Sequence, residues 1–447
     1  MLTDSRRIGF AFLVYAIALF LIAYVANQSD FLLSFSAYAV AFLVFLYFIR
    51  VQNSFDLKTW NKFALLLMLI PFFSNPSLSP DVYRFLWDGE LVTMGIHPYA
   101  SVPNELMESN LRVRQSTYMN ELFAEITDLS KRNYSIYPSV NQFYFLIAAF
   151  FSDHLLISFI ILRLLMLLTM VLGYKFLLKT LDLLSISNHR SLLLLLNPIL
   201  IVEVIGNFHF EGIMLSWLII GIYFLIRSNW LKSSLFWAIA INIKLTPLIL
   251  LPFVLRFRKF SWTLKFYFST LICSVFLMII YLWPTLFWNF MQSIELYFDN
   301  FEFNAGVFYL IKWITSFFIE GNPTLIVGPI LSIISFLAIL CLAFFQPIKS
   351  NRELLTRMMW GYVIYLMLAT TVHPWYVILP LGLSIFSANI GVLIWSLLIM
   401  LSYGFYAVGS TQIGMALIAI EYLVVIVLLV FPKLKITRKL TDILRLN

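Results

Sequence analysis

Apolar runs close to the roughly 17 to 25 residues that a helix needs to cross a hydrocarbon core recur along the chain from Ile8 to the region of Val430. Separated by short polar breaks, they predict helices near 8–26, 31–49, 60–74, 155–178, 191–206, 212–227, 262–282, 324–345, 358–372, 375–387, 390–406 and 413–431. The run 233–255 departs from this pattern because Lys244 and Pro247 interrupt it and basic residues flank both ends. Such flanks predict a broken hairpin that enters and returns on one side, since non-helical backbone at membrane depth survives only where protein or a cavity satisfies it. A single tilted span is the alternative. The expected fold is all-α: a polytopic membrane protein with about 12–14 membrane segments, built as one body over residues 1–447.

Composition agrees with that class. Of 447 residues, 62% are hydrophobic and 12% charged, whereas soluble domains carry roughly a quarter charged residues. The first run follows Arg6 and Arg7 as a signal peptide would, but it is long for one and another run follows almost at once. It therefore reads as an uncleaved helix. The formal charge of +8 is a topology signal, not a nucleic-acid surface. Basic residues cluster at Arg6/Arg7, Arg50/Lys58/Lys62, Lys175/Lys179/Arg190, Arg227/Lys232, Arg256/Arg258/Lys259/Lys265, Lys349/Arg352/Arg357 and the tail Lys433/Lys435/Arg438/Lys439/Arg445. All of these fall on one side if the N-terminus is cytoplasmic. Residues 75–137 then form a long external loop, too long for a plain connection. Residues 284–322 form a second, carrying Glu295, Asp299, Glu302 and Lys312, in which "NAGVFYLIKWITSFF" predicts an amphipathic helix lying in the interface. Cys273 and Cys341 lie in apolar runs, which leaves no external disulfide framework.

The densest polar and aromatic cluster is "SPDVYRFLWDGELVTMGIHPYA" at the start of the first external loop. Ser79 and Pro80 predict a helix start, with serine as cap and proline at the first helical position. Three- and four-residue spacing then puts Asp81, Arg84 and Asp88 on one face, with Trp87 beside it. One reading is structural: Asp81 complements the helix dipole and pairs with Arg84, while Tyr83, Trp87 and Tyr99 form an interfacial belt. The other is catalytic. A glycosidase needs two carboxylates because its leaving alkoxide must be protonated, but a phosphate leaving group does not. Transfer from a polyprenyl phosphosugar needs one ionised carboxylate to take the acceptor's proton, and cationic groups where charge grows on the departing phosphate. Asp81 and Arg84 supply both beside the lipid boundary.

"DVYRFLWDGELVTMGIHPY" resembles the first-loop signature of the GT-C superfamily of integral-membrane glycosyltransferases, especially bacterial polyprenyl-phosphate-mannose-dependent mannosyltransferases, which reads roughly D-[VI]-Y-R-Y-x-W-D-G followed by G-x-N-P-Y. Further matches follow in order: "YPSV" at Tyr137 resembles Y-P-P-L, "NPILIVEVIGNFHFEG" resembles N-P with G-N-x-H-x-[DE]-[GA], and "IKLTPLILLP" resembles K-x-x-P with L-P. "FEFN" and "HPWY" resemble later external-loop elements, so the match runs from about Asp81 to Tyr376. The resemblance implies an inverting transferase with an external site and Asp81 as general base. Departures at His97, Ser139 and Glu211 bear on the sugar and acceptor more than on the reaction type.

Other polar residues carry two readings each. Lys244 could bind a lipid phosphate from within the hairpin, or snorkel to the cytoplasmic boundary or pair with Glu203. Arg163, alone in "LLISFIILRLLMLL", could be a phosphate ligand or half of an internal ion pair, with Glu203 as partner. His209 and Glu211 open a span on the same side as Asp81 and could contact donor phosphate and sugar hydroxyls; a satisfied boundary histidine is the alternative. His373 stands at another external turn before Pro374, and Trp375 could stack on a sugar face or belong to the aromatic belt. With Arg84, Trp87, Asp88, His97, Tyr99, Tyr137 and Tyr376, these are the candidate substrate-binding residues. No close-spaced ligand motif supports a metal or other cofactor.

The expected function is transfer of a sugar, most plausibly mannose, from a polyprenyl phosphate to a glycan or glycolipid on the external face of a bacterial cytoplasmic membrane. Its partners are those substrates and the bilayer, not nucleic acid. A secondary transporter or flippase for a lipid-linked sugar is the rival, which should show polar residues at mid-depth and two corresponding halves.

Overall fold

The computed structural model describes residues 2–279, 284–299, 301–407, 411–432 and 434–444; Lys433 and Arg445 of the basic tail lie outside the described residues. The architecture is helical, and the extended pairing among the described residues is one isolated bridge between Phe303 and Thr371. Among the described residues, six helices are long and apolar enough to cross a membrane: Ser5–Val25, Phe31–Arg50, Leu155–Leu183, Phe260–Ile279, Thr324–Phe344 and Gln412–Val430. They coincide with six of the spans expected from the apolar runs, and they make this a multi-pass membrane protein.

The expected span 358–372 lies in the unbroken helix Asn351–Leu368, whose first turns carry Arg352, Glu353 and Arg357. The remaining expected spans are shorter or broken, and proline is a recurring cause, because it removes a helix donor and clashes with the preceding turn. The run 60–74 becomes the helix Leu57–Leu69 and a 3-10 turn Ile70–Phe73 containing Pro71. The run 191–206 becomes Asn188–Leu195 and Leu200–Gly206, bent by 60° at Asn197–Pro198. Glu211–Ile226, Pro374–Ser384 and Ile390–Tyr406 are apolar helices of 10–17 residues. Among the described residues, six helices, or seven with the bent pair, have the full length of a span, and shorter apolar helices account for other segments among the 12–14 expected. One short helix, Ser139–Phe150, falls in a stretch that the apolar pattern left unassigned.

The interrupted run around Lys244 folds as a hairpin. Trp230–Ile241 rises, the chain turns at 242–245, and a 3-10 turn followed by Leu251–Phe257 returns. Trp237 Nε1 donates to the Pro247 carbonyl across the two arms (3.5 Å), and Arg258 donates to the carbonyls of Leu225 (2.6 Å) and Ile226 (3.1 Å), beside the point where the hairpin began. A single span would have placed Arg258 at the opposite end.

The long polar loop 75–137 is a folded body of short helices, not an open connection. Asp81–Thr93 begins one residue later than expected, with Pro80 at its cap position, and the Ser79 hydroxyl accepts from the Asp81 N–H at 3.4 Å. This helix crosses Ser139–Phe150 so closely that a Cβ at Gly89 would collide with the Phe145 carbonyl, so only glycine fits. Phe85 stacks on Phe145 at 4.7 Å at the same crossing.

Arg163 ties this region to the next. It is fully buried, and among the described residues no carboxylate is paired with it. Its guanidinium donates to the carbonyls of Ile205 (2.8 Å), Phe72 (2.9 Å), Ser74 (2.7 Å) and Gly206 (3.0 Å), and it lies 4.2 Å over the Phe208 ring. The expected ion pair with Glu203 is absent because a planar fork matches carbonyls on two chain breaks that lack helical partners. Replacing Arg163 with Met, similar in reach but without donors, should leave these buried carbonyls unsatisfied and cost on the order of 3 kcal/mol. The thermal midpoint of the full-length protein in detergent reads this, and Arg163→Lys should recover only part of the loss.

Candidate functional site

The segment before Asp81 and the turn before His209 are held together by more than Arg163. Asn207 Oδ1 accepts from the backbone N–H of Ser77 (3.1 Å) and Leu78 (2.9 Å), while its amide donates to the Val202 carbonyl (3.0 Å). Upstream of it, Leu200–Gly206 is a short π-helix, a geometry concentrated at functional sites. Phe208 follows with φ 63°, a left-handed conformation that costs a bulky residue on the order of 1–3 kcal/mol. The stacked Arg163 guanidinium and the Asn207 bonds hold it there. The outcome is a turn that points the His209 ring at Asp81.

His209 is buried between two carboxylates. Its Nδ1 lies 2.9 Å from Glu203 Oε2 and its Nε2 3.8 Å from Asp81 Oδ2. Glu203 is fully buried, while the Asp81 side chain keeps 38% of its surface exposed. The Tyr403 hydroxyl donates to Glu203 at 3.1 Å. Burial alone would lower the His209 imidazole, but the two carboxylates raise it from 6.5 to about 9, so it carries a proton at neutral pH. Burial would likewise raise Asp81, but the His209 contact and the charge of Lys244 hold its carboxyl below the ordinary 3.8. Both effects favour the ionised pair.

Aromatic rings fix the other side of His209. Trp375 stacks on it at 3.3 Å, His373 stacks on the opposite face of Trp375 at 4.4 Å, and Phe303 stacks on His373 at 4.8 Å. Both faces of Trp375 are thus covered by histidine rings, and the sugar-stacking role expected for it is not open to it. Phe303 comes from the second external loop. Its N–H donates to the Thr370 carbonyl (3.1 Å) and its carbonyl accepts from Val372 N–H (2.8 Å), so "FEFN" and "HPWY" lie side by side. Burial, aided by the nearby cations, lowers His373 to about 3, so this imidazole stays neutral where His209 is charged.

The hairpin tip supplies the remaining cation. Val140 N–H donates to the Asn242 carbonyl (3.1 Å) and the Asn141 amide to that of Ile243 (2.8 Å), so the start of Ser139–Phe150 cradles the tip. Lys244 then forms an ion pair with Glu211, and its Nζ lies 3.9 Å from the Tyr376 ring centroid. Its partner is Glu211 rather than Glu203, and it faces the turns that carry Asp81 rather than a cytoplasmic boundary.

Asp81, His209, Glu211, Lys244, His373, Trp375 and Tyr376 therefore converge. The other candidates do not join them. Arg84 pairs with Asp88 at 2.8 Å, not with Asp81, and donates to the carbonyls of Ser130 (2.6 Å) and Asn133 (3.0 Å). Asp88 is fully buried and also accepts from Ser135 and Gln142. These two residues staple the first loop, because their four-residue spacing lets them satisfy each other. Trp87 is buried against Phe123. The Tyr99 hydroxyl donates to the Tyr137 carbonyl and its ring meets Phe290 at 5.6 Å; His97 Nδ1 accepts from Tyr99 N–H at 3.3 Å. Tyr137 packs edge-on against Phe85 at 4.7 Å. Sequence reasoning gives Glu203 only as a partner for Arg163 or Lys244, holds Asn207 and Phe303 within matched motifs without a role, and passes over Tyr403. An acid inside an apolar run was the signal available for Glu203. Among the described residues no three His, Cys, Asp or Glu side chains gather as a metal cage.

A family model described as "Alpha-(1->6)-mannopyranosyltransferase, N-terminal domain" matches residues 11–258, a stretch that contains Asp81, Glu203, His209, Glu211 and Lys244 and ends where the hairpin returns. No curated protein and no solved structure matches the chain.

The two first-loop aspartates should separate in stability. Asp88→Ala strands the buried Arg84 charge and should cost roughly 3 to 5 kcal/mol. Asp81→Asn, at a half-exposed position, should change stability by less than about 1 kcal/mol. Thermal unfolding of the two purified variants checks the contrast.

Proposed function

The chain belongs to the alpha-(1->6)-mannopyranosyltransferase family and is a membrane mannosyltransferase, and from that premise we propose that it moves mannose from a polyprenyl-phosphate carrier to the 6-hydroxyl of a mannose in a glycan or glycolipid, with inversion. The observation that carries this reading is the half-exposed, ionised Asp81 set beside charged His209 and near the Lys244–Glu211 pair. In the transfer, the acceptor oxygen bonds to the anomeric carbon as the bond from that carbon to the phosphate oxygen breaks. Asp81 takes the acceptor's proton, and the polyprenyl phosphate leaves with the electron pair. A carboxylate held low in pKa is a weak base for a free alcohol. It suffices here because the hydroxyl becomes acidic only as its oxygen bonds to carbon.

Negative charge grows on the phosphate, and two cations stand near. Lys244 Nζ is the more accessible, with 29% of its side chain exposed, and exchanges its contact with Glu211 for the phosphate. His209 is buried and acts at short range. Arg84, committed to Asp88 and loop carbonyls, takes no part. Tyr376, beside Lys244, replaces Trp375 as the ring available to a sugar. The site lies at the helix ends opposite the basic clusters, which supports an external, in bacteria periplasmic, face of the cytoplasmic membrane. A flippase would place these groups at mid-depth between two matching halves; their gathering at one end favours the transferase.

Purified enzyme assayed with polyprenyl-phosphate-mannose and an oligomannoside acceptor tests this. Asp81→Asn should lower kcat by about a thousandfold, and turnover at the wild-type rate would exclude Asp81 as the base. Lys244→Met should lower kcat/KM by about a hundredfold. The pH profile should be flat through neutrality. It should fall below the ordinary carboxyl value of 3.8, where Asp81 finally protonates, and again above about 9, where His209 loses its proton.

A further inference from the structure

We infer that Glu203 is a positioning residue for this reaction: acting through His209 Nδ1, its carboxylate locks the imidazole orientation and keeps a positive charge beside Asp81. The inference rests on the reading of Asp81 as the base and extends it to a residue without contact to substrate.

The surroundings of Glu203 leave it no other role. It is fully buried and has no surface on which a substrate could bind. The two cations that could have neutralised it as structural partners are engaged elsewhere, Arg163 with four carbonyls and Lys244 with Glu211. What remains is His209 Nδ1 at 2.9 Å and the Tyr403 hydroxyl at 3.1 Å. Burying a carboxylate costs several kcal/mol unless a charge answers it. This one sits in a π-helix, four residues before Asn207 and five before the left-handed Phe208. Local rules broken together within one turn mark a functional constraint more than a packing solution.

The chemistry explains what the arrangement would do. His209 is faced by Asp81 from the first-loop helix, Glu203 from the π-helix and His373 from the turn before Pro374. Around these stand Tyr403, whose hydroxyl donates to Glu203, Tyr406 near Asp81, and Lys244 from the hairpin tip near Asp81 and His373. Among the described residues, Asp81 and Glu203 are the acids in contact with His209. Asp81 becomes neutral as it takes the acceptor's proton. Glu203 does not, so His209 keeps its charge while the phosphate acquires its own. A base or acid oriented by a third buried group is the general logic of such constellations.

The test uses full-length protein labelled with 15N-histidine in lipid nanodiscs; five histidines are present, and His209→Gln assigns the resonance. In Glu203→Gln, which keeps an acceptor but removes the charge, the His209 protonation constant should fall about a hundredfold. In the mannosyl-transfer assay the same variant should move the alkaline limb down equally and lower kcat at pH 8 by at least about tenfold, with donor KM within about twofold. An unmoved His209 titration, or a moved titration with an unmoved rate profile, overturns the inference. If Glu203→Gln does not fold, Tyr403→Phe is read instead: loss of the donated hydroxyl should concentrate charge on Glu203 and raise the His209 constant. No change, or a fall, overturns the inference. The titration needs no substrate, so it reports on Glu203 even if the wild-type protein proves unable to use the mannosyl carrier.

Discussion

Arg163 joins two pieces of chain that no regular element connects. Its guanidinium closes carbonyls at 72, 74, 205 and 206, which are left open where one helix ends in a 3-10 turn and another unwinds as a π-turn. In hydrocarbon such carbonyls have no water to bond, so the breaks exist only because this fork reaches both. Asp81 follows one break and His209 the other. The distance between base and imidazole is thus set by a residue that touches neither.

Around that joint, the site is assembled from chain turns and helix ends. The 206–210 turn, the hairpin tip, the start of Ser139–Phe150, the 301–303 strip and the turn before Pro374 each contribute one or two side chains. Each is pinned by backbone hydrogen bonds to a neighbour rather than by its own helix. The ring stack from His209 through Trp375 and His373 to Phe303 carries that rigidity from the first half of the chain into the second. It also explains why two histidines a ring apart differ in charge: one touches two carboxylates, while burial among rings outweighs the more distant Asp81 at the other.

Charge in the site is arranged in pairs, Asp81 and Glu203 with His209, and Glu211 with Lys244. Paired charges can be buried near lipid at tolerable cost, whereas lone ones cannot. Under the proposed reading, a phosphate bound there would replace one anion with another beside Lys244. This is a physical reason for a glutamate to stand where it partners the lysine.

Much of this protein was legible along the chain. Apolar run length determined an all-helical membrane body and set off the long polar loop at 75–137, because partition between water and lipid acts on each segment by itself. The hairpin at 233–255 was legible from its interruption by Lys244 and Pro247 and its basic flanks. What a segment cannot specify is which partner a polar side chain chooses. Arg84 selected Asp88 rather than Asp81, Lys244 selected Glu211, Arg163 selected carbonyls over any acid, and Trp375 was covered on both faces. Those choices depend on which helix ends meet in space, and prolines at 71, 198 and 247 bend and shorten the helices that meet there. The sequence determined which groups would be available near the surface; only the tertiary structure decided which of them are saturated by one another and which remain to do chemistry.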